Sequence, residues 1–157
     1  MVIRLGKLED IDELAQLLMR AYQGLEAYGE ESVSEARRYL KWLRRTCKSG
    51  FLVAEVNGCV VGFIAACPEW KDWELGTVLE IHEIVVAPEW QGKGVGRALL
   101  NQAYSLGHSH GRKLAALWVG VGNMKAREWY KKLGFKEIGR WGEWIRMFRP
   151  IPEPKDE

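Results

Sequence analysis

The sequence lacks the features that mark several large classes of protein. No apolar run approaches the roughly 18 residues of a membrane-spanning helix, and residues 1–5 are not followed by the apolar stretch of a signal peptide. No run of like charges forms a basic arm or an acidic tail, and the net charge is only +2. We therefore expect a cytoplasmic protein that has no nucleic acid or membrane partner.

Cysteine is scarce as well. The three cysteines, Cys47, Cys59 and Cys67, are odd in number, lack a C-x-x-C spacing and stand among apolar neighbours. This usage is typical of reduced, buried thiols in a cytosolic protein. The sequence therefore predicts three free thiols and no cysteine that ligates a metal.

The 157 residues have the hydrophobic and charged content of one globular domain, which we assign to residues 1–149. We expect residues 150–157 to form a flexible tail. The hydrophobic periodicities predict the order β-α-α-β-β-β-α-β-α-β-β, and hence an α/β or α+β fold around one mixed sheet. The predicted strands are 2–5, 51–56, 59–67, 77–86, 113–119, 135–140 and 143–149; the predicted helices are 8–18, 34–45, 94–107 and 124–133; residues 68–76 form a predicted loop.

A glycine-rich turn, Gln91-Gly92-Lys93-Gly94-Val95-Gly96-Arg97, joins the predicted strand 77–86 to the helix that follows. Its glycines leave backbone N–H groups unobstructed, and the first N–H groups of a helix have no partner inside it. Together with the charges of Lys93 and Arg97, these groups favour a diphosphate. The spacing disfavours a Walker loop, which needs Lys followed by Ser or Thr, and a dinucleotide loop, which needs glycine where Leu99 stands.

The turn fits the pattern Q/R-x-x-G-x-G/A through Gln91, Gly94 and Gly96, and it resembles the coenzyme A signature of the GNAT superfamily of N-acetyltransferases. The flanking sequence extends the resemblance over residues 2–149. The further matching blocks are Ile3-Arg4-Leu5 with Glu9-Asp10, residues 85–90, and Asn123, Ala126, Tyr130 and Leu133-Gly134-Phe135. The resemblance implies a mixed, mostly antiparallel sheet of six or seven strands with splayed parallel central strands, flanked by four helices.

The resemblance further implies an N-acetyltransferase that uses acetyl-CoA and no metal. The pantetheine arm would lie between strands 79–86 and 113–119, and a backbone N–H near Val85 would polarise the thioester carbonyl. The implied cofactor-binding residues are Ile84, Val85, Val86, Gln91, Gly92, Lys93, Gly94, Val95, Gly96, Arg97, Asn123 and Tyr130.

Direct attack by an amine requires a group that takes its proton, and the resemblance implies this base at Glu80 or His82. Strand alternation places Glu80 and His82 on one face and Glu83 on the other, unless a bulge intervenes. We take Glu80 as the base, with His82 second, and the ordinary expectation for Glu83 is an ion pair with a basic neighbour. Tyr130 matches the general acid that protonates the coenzyme A thiolate.

We expect residues 23–31, 68–76 and 140–144 to frame the acceptor amine. These segments carry aromatic and acidic side chains, which favour a cationic acceptor. The aromatic side chains are Trp70, Trp73, Trp141 and Trp144, and the acidic side chains are Glu69, Asp72 and Glu74. Small polyamine-like amines, aromatic amines and the amines of a polypeptide are all left open, as are a monomer and a homodimer. The alternative function is an acyl-CoA-binding or sensing domain without turnover.

Overall fold

The computed structural model describes residues 1–153, which form seven strands and four α-helices. The strands are β1 (Val2–Leu5), β2 (Phe51–Val56), β3 (Cys59–Asp72), β4 (Gly76–Val86), β5 (Leu114–Gly120), β6 (Lys136–Trp141) and β7 (Trp144–Pro150). The helices are α1 (Ile11–Ala21), α2 (Val33–Cys47), α3 (Val95–Ser109) and α4 (Met124–Lys132). Within residues 1–153, no helix combines the length and the apolar character that crossing a membrane requires.

The strands form a single sheet in the order β1-β2-β3-β4-β5-β7-β6. Its neighbouring strands run antiparallel, except that β4 and β5 are parallel. The parallel pairing is confined to residues 79–81 against 115–117, whereas β4 stays paired with β3 as far as Val86. The two central strands therefore separate toward their carboxyl ends. The predicted fold, a mostly antiparallel sheet with splayed parallel strands and four helices, is confirmed.

Helices α1 and α2 pack on one face of the sheet, and α3 and α4 pack on the other, because each helix buries an apolar stripe. In α1, Ile11, Leu14 and Leu18 recur at helical spacing and are at most 3% exposed. In α3, Leu99 and Ala103 are fully buried in the same way. Two separate cores result, so the two faces of β4 meet different surroundings.

The prediction of a loop over residues 68–76 is wrong for most of these residues. Strand β3 continues to Asp72 and β4 begins at Gly76, so only a short turn separates them. The register between the strands shifts after Cys67, which accommodates Pro68, a residue that cannot donate to the sheet. The Asp72 carboxylate then closes the turn by accepting the backbone amides of Glu74 and Leu75 at 2.8 and 2.9 Å.

The prediction of three reduced, buried thiols is also wrong. Cys47, the last residue of α2, lies against β3 and forms a disulfide with Cys67, and their Cα atoms are 4.4 Å apart. Cys59 is a free, exposed thiol. The two bonded residues are 20 positions apart in the chain, and they meet only because the end of a helix packs on a strand. No short cysteine spacing could have shown this contact.

The carboxyl-terminal strand extends slightly beyond the assigned domain limit at residue 149. Pro150 belongs to β7, and the backbone amide of Ile151 donates to the carbonyl of Lys113 at 2.8 Å. The Ile151 side chain also packs against the α3 core. Pro150 and Ile151, which were assigned to the predicted tail, therefore contact the fold, and residues 154–157 lie outside the described part of the chain.

Candidate functional site

A cavity of about 1290 Å³ opens where β4 and β5 separate. Its wall combines the beginnings of α3 and α4 on one face of the sheet with α1, α2 and the segment between them on the other. Pockets for a single small ligand usually measure about 300–1,000 Å³. The cavity therefore has room for a cofactor and a second reactant that approach from opposite faces.

The glycine-rich turn lies at one end of this cavity and leads into α3. Gly94 precedes the helix with φ of 85°, a left-handed conformation that glycine adopts without steric cost. The backbone amides of Gln91 and Ala98 donate to the carbonyls of Pro88 and Gly94. Between them, the amides of residues 92–97 have no hydrogen-bond acceptor within the described part of the chain, so they are available to an anion.

Neighbouring side chains fix the shape of the turn. A side chain at Gly96 would collide with Trp129, because its Cβ would lie 2.9 Å from the ring. The Gln91 amide donates to the carbonyl of Val86 at 3.2 Å, and its oxygen accepts the ammonium of Lys125 at 2.9 Å. Lys125 thus adds a positive charge that sequence reasoning missed, since α4 brings it to the turn from 34 positions away.

Strand β4 carries a bulge that changes which side chains share a face. Residues 81 and 83 pair with successive residues of β3, so His82 is the extra residue. Ile81 and Ile84 both belong to the α3 core, whereas Glu83 contacts α1 and α2. The expectation that Glu80 and Glu83 lie on opposite faces of β4 is therefore wrong. Both carboxylates lie on the face that packs against α1 and α2.

Glu80 forms a buried ion pair. Both of its carboxylate oxygens accept the guanidinium of Arg146, at 2.6 and 2.8 Å, and the two residues are at most 3% exposed. Asp72 accepts the same guanidinium at 2.7 Å, and the ring of Trp118 stacks on it at 4.9 Å. Because Arg146 occupies both oxygens, this geometry favours a structural role for Glu80 in tying β4 to β7. Its role as the base stays a prediction.

His82, the second predicted base, is enclosed by aromatic rings. Its imidazole lies edge to face with Trp42 and Trp70, at centroid distances of 5.5 and 4.5 Å. Burial, with a smaller contribution from Arg146, lowers the pKa of His82 to about 4. The ring is therefore neutral at pH 7 but a weak proton acceptor, and its catalytic role also stays a prediction.

His82 also belongs to a group of atoms with the chemistry of metal ligands. A ring nitrogen of His82 and the sulfur atoms of Cys47 and Cys67 lie within 4.8 Å of one another. Zinc binds thiolates and imidazoles. Here the two sulfurs are bonded to each other, so they do not supply thiolates.

Glu83 accepts hydrogen bonds from two phenols. It does not form the ion pair with a basic neighbour that was expected from the sequence. The hydroxyls of Tyr22, at the end of α1, and Tyr39, in α2, each donate at 3.0 Å, one to each carboxylate oxygen. Burial raises the pKa of Glu83 to about 7, while the two hydrogen bonds act in the opposite direction. A carboxylate offers about four lone-pair sites. Glu83 can therefore still accept a proton, at a pKa suited to general-base catalysis near neutral pH.

Asn123 and Tyr130 line the cavity from α4. The Asn123 side-chain oxygen accepts the Ala126 amide at 3.3 Å and caps the helix. Tyr130 is 9% exposed, and burial, followed by the charge of Glu83, raises the pKa of its phenol. Tyr130 therefore keeps its proton near neutral pH, and it faces the same cleft as Glu83.

The three segments expected to frame the acceptor contribute unequally to the cavity. Residues 23–31 contribute Tyr28 and Glu30, and residues 140–144 contribute Trp141 and Trp144. Residues 68–76 instead form the end of the β3–β4 hairpin, where Trp73 is 87% exposed. The two W-x-x-W sequences therefore do not form matching walls of one pocket.

Comparison with known proteins adds a family match, a relative and two similar structures. Residues 11–135 match the acetyltransferase (GNAT) family. An uncharacterised N-acetyltransferase of Methanocaldococcus jannaschii is 42% identical over 144 residues, which cover 91% of this chain and 64% of that protein, so the chain spans less than two thirds of this relative.

Two solved structures are similar to the whole chain. The crystal structure of a Pyrococcus horikoshii protein, 38% identical, superposes with a TM-score of 0.86 and covers 97% of this chain and 99% of its own. The PaiA N-acetyltransferase of Thermoplasma acidophilum, solved in complex with coenzyme A, has the same fold at 23% identity. Its TM-score is 0.74, with 95% of this chain and 98% of that chain covered.

Proposed function

Because the chain belongs to the acetyltransferase (GNAT) family, we propose that it transfers the acetyl group of acetyl-CoA to a primary amine. The observation that carries this proposal is one cavity that joins two kinds of site. Unpaired backbone amides lie at one end, before and within the first turn of α3. Glu83 and Tyr130 face the cleft between β4 and β5. The same-fold structure solved with coenzyme A supports the choice of cofactor.

Acetyl-CoA would bind with its diphosphate on the amides of residues 92–97. The positive charges of Arg97 and Lys125 line this end of the cavity, and Lys93 adds a third charge nearby, with its ammonium 5.0 Å from the Trp90 ring. The pantetheine would follow residues 84–86, whose edge toward β5 carries no strand pairing. A backbone N–H of this edge, near Val85, would stabilise the oxyanion that forms on the thioester carbonyl.

Glu83 would act as the general base in place of Glu80 or His82. The acceptor arrives as an ammonium ion, and Glu83, whose pKa is raised to about 7 by burial, would accept a proton from it. Glu83 takes one proton, and the neutral nitrogen then attacks the carbonyl carbon. A nitrogen–carbon bond forms and the carbon–sulfur bond breaks. The departing thiolate takes the Tyr130 proton, and the attacking nitrogen gives up its second proton, which returns to Tyr130 through water.

Release of free thiol from acetyl-CoA, measured across a panel of amines and short peptides, tests this proposal. We expect release that depends on the amine and yields one acetylated amine for each thiol. Tight coenzyme A binding without release from any acceptor would overturn it in favour of an acyl-CoA-binding domain. The cytoplasmic location, the monomeric or homodimeric state and the independence from metal stay predictions.

A further inference from the structure

The acceptor side of the cavity carries unusual negative charge. The segment between α1 and α2 and the first turn of α2 contain four glutamates, Glu26, Glu30, Glu31 and Glu35. Among them, Glu30 lines the cavity and is partly buried. Glu83 lines the same cavity, and the charge of Glu30 is one cause of the raised pKa of Glu83. A second carboxylate therefore lines the cavity together with the proposed base.

No lysine or arginine that lines the cavity belongs to the α1–α2 segment or to β4, which carry this pair. Arg146, the buried cation nearby, is shared by Glu80 and Asp72, so this group of three has a net charge of −1. The cations that line the cavity are Arg97, Lys125 and Lys132. They belong to α3 and α4, on the cofactor face of the sheet. Within residues 11–47, no lysine or arginine lines the cavity, so the charges of Glu30 and Glu83 would attract a cationic acceptor and repel an anionic one.

Aromatic rings form the remaining wall on this side. Trp118 and Trp141 meet edge to face at 5.5 Å, and both line the cavity. Tyr28 meets Trp144 at the same distance, and its hydroxyl accepts the Gly122 amide at 2.8 Å. Tyr28 thereby ties the α1–α2 segment to the β5–α4 turn, and it also lines the cavity. Such rings suit a slender methylene chain and attract ammonium groups through their faces.

We propose that the acceptor is a small aliphatic polycation: a primary amine on a methylene chain that carries at least one further ammonium group and no carboxylate. This inference rests on the proposed acetyl transfer. The reacting amine would lie at Glu83, the chain along the aromatic wall and the second ammonium near Glu30. An α-amino acid would bring its carboxylate close to two glutamates.

Three matched amines separate these classes: cadaverine, pentylamine, which lacks the second ammonium group, and lysine, which adds a carboxylate. We expect kcat/KM to fall from cadaverine to pentylamine by about tenfold and to fall again for lysine. The preference for cadaverine should weaken as salt is added, because ions screen the attraction.

Glu30→Gln should reduce the ratio of cadaverine to pentylamine kcat/KM to near one, since it removes the charge beside the second ammonium group. Glu31→Gln is the matched control, because Glu31 is exposed and does not line the cavity. We expect this control to keep the wild-type ratio.

A kcat/KM for lysine or for a short peptide that equals or exceeds that for cadaverine would overturn the inference and leave acetyl transfer intact. An unchanged cadaverine ratio in Glu30→Gln would also overturn it. Absence of thiol release with every amine, despite coenzyme A binding, would instead overturn the proposed function itself.

Discussion

Replacing Glu83 with glutamine tests the assignment of the general base. The substitution preserves the size of the side chain and leaves one oxygen to accept a hydrogen bond from the phenols, but it removes the group that takes the proton. General-base catalysis contributes about 10²–10⁴ to the rate. We therefore expect kcat/KM for the amine to fall at least about a hundredfold, while the affinity for coenzyme A is unchanged.

The dependence of kcat/KM on pH tests the same assignment. Glu83 must be ionised to act, and its pKa is raised to about 7. In the wild type, kcat/KM should therefore rise with pH through neutrality and fall about tenfold for each unit well below it. Tyr39→Phe removes a hydrogen bond that favours the ionised form, so it should shift this limb to higher pH, by about one unit. The pKa of the free amine cannot cause such a shift, because the substrate is the same.

Glu80→Gln is the informative comparison, assayed at a temperature where the variant is folded. We expect it to keep the acidic limb of the profile. The reasoning would be refuted if Glu83→Gln kept most of its activity and the wild-type profile, while Glu80→Gln lost the limb. That result would assign the role of general base to Glu80, as predicted from the sequence alone.

Three further predictions concern other parts of the chain. Arg146→Met leaves the buried Glu80 carboxylate without its partner and should lower the free energy of unfolding by about 3–5 kcal/mol, measured by chemical denaturation; an unchanged midpoint would contradict the ion pair. Replacing both Cys47 and Cys67 with serine should cost about 3 kcal/mol under oxidising conditions, and reductant should bring the wild type to the same stability; equal stabilities without reductant would exclude the disulfide. Tyr130→Phe should lower kcat for an acetyl thioester whose thiol is a poor leaving group, with little change in KM. Full turnover would show that another acid protonates the thiolate.

Local sequence patterns were sufficient to predict most of the fold. The helix stripes, the Asn57-Gly58 hairpin turn and the glycine-rich turn depend on residues that are close in the chain. The free backbone amides before α3, which are the proposed anion site, also follow from residues close in the chain, because the first amides of a helix have no partner inside it. These elements were therefore readable before any tertiary contact was known.

The surroundings of the proposed base, Glu83, could not be predicted in the same way. The bulge at His82 arises from the register between β3 and β4, and it moves Glu83 to the face that simple alternation assigned to Glu80. The tyrosines that hold Glu83 come from α1 and α2, 61 and 44 positions away. Arg146, which engages Glu80, comes from 66 positions away. Both carboxylates line the cavity, and only tertiary packing decides that Glu80 is paired with a cation while Glu83 accepts hydrogen bonds from two phenols.

A single-turnover experiment tests the central claim, direct acetyl transfer within the cavity, most directly. Enzyme in excess is mixed with acetyl-CoA and cadaverine, and the free thiol, the acetylated amine and the intact protein mass are followed together. The account predicts that thiol and acetylated amine appear at the same rate, while the protein mass stays unchanged. An acetylated protein that forms before the amine product would contradict direct attack, and bound acetyl-CoA that persists without thiol release would contradict catalysis.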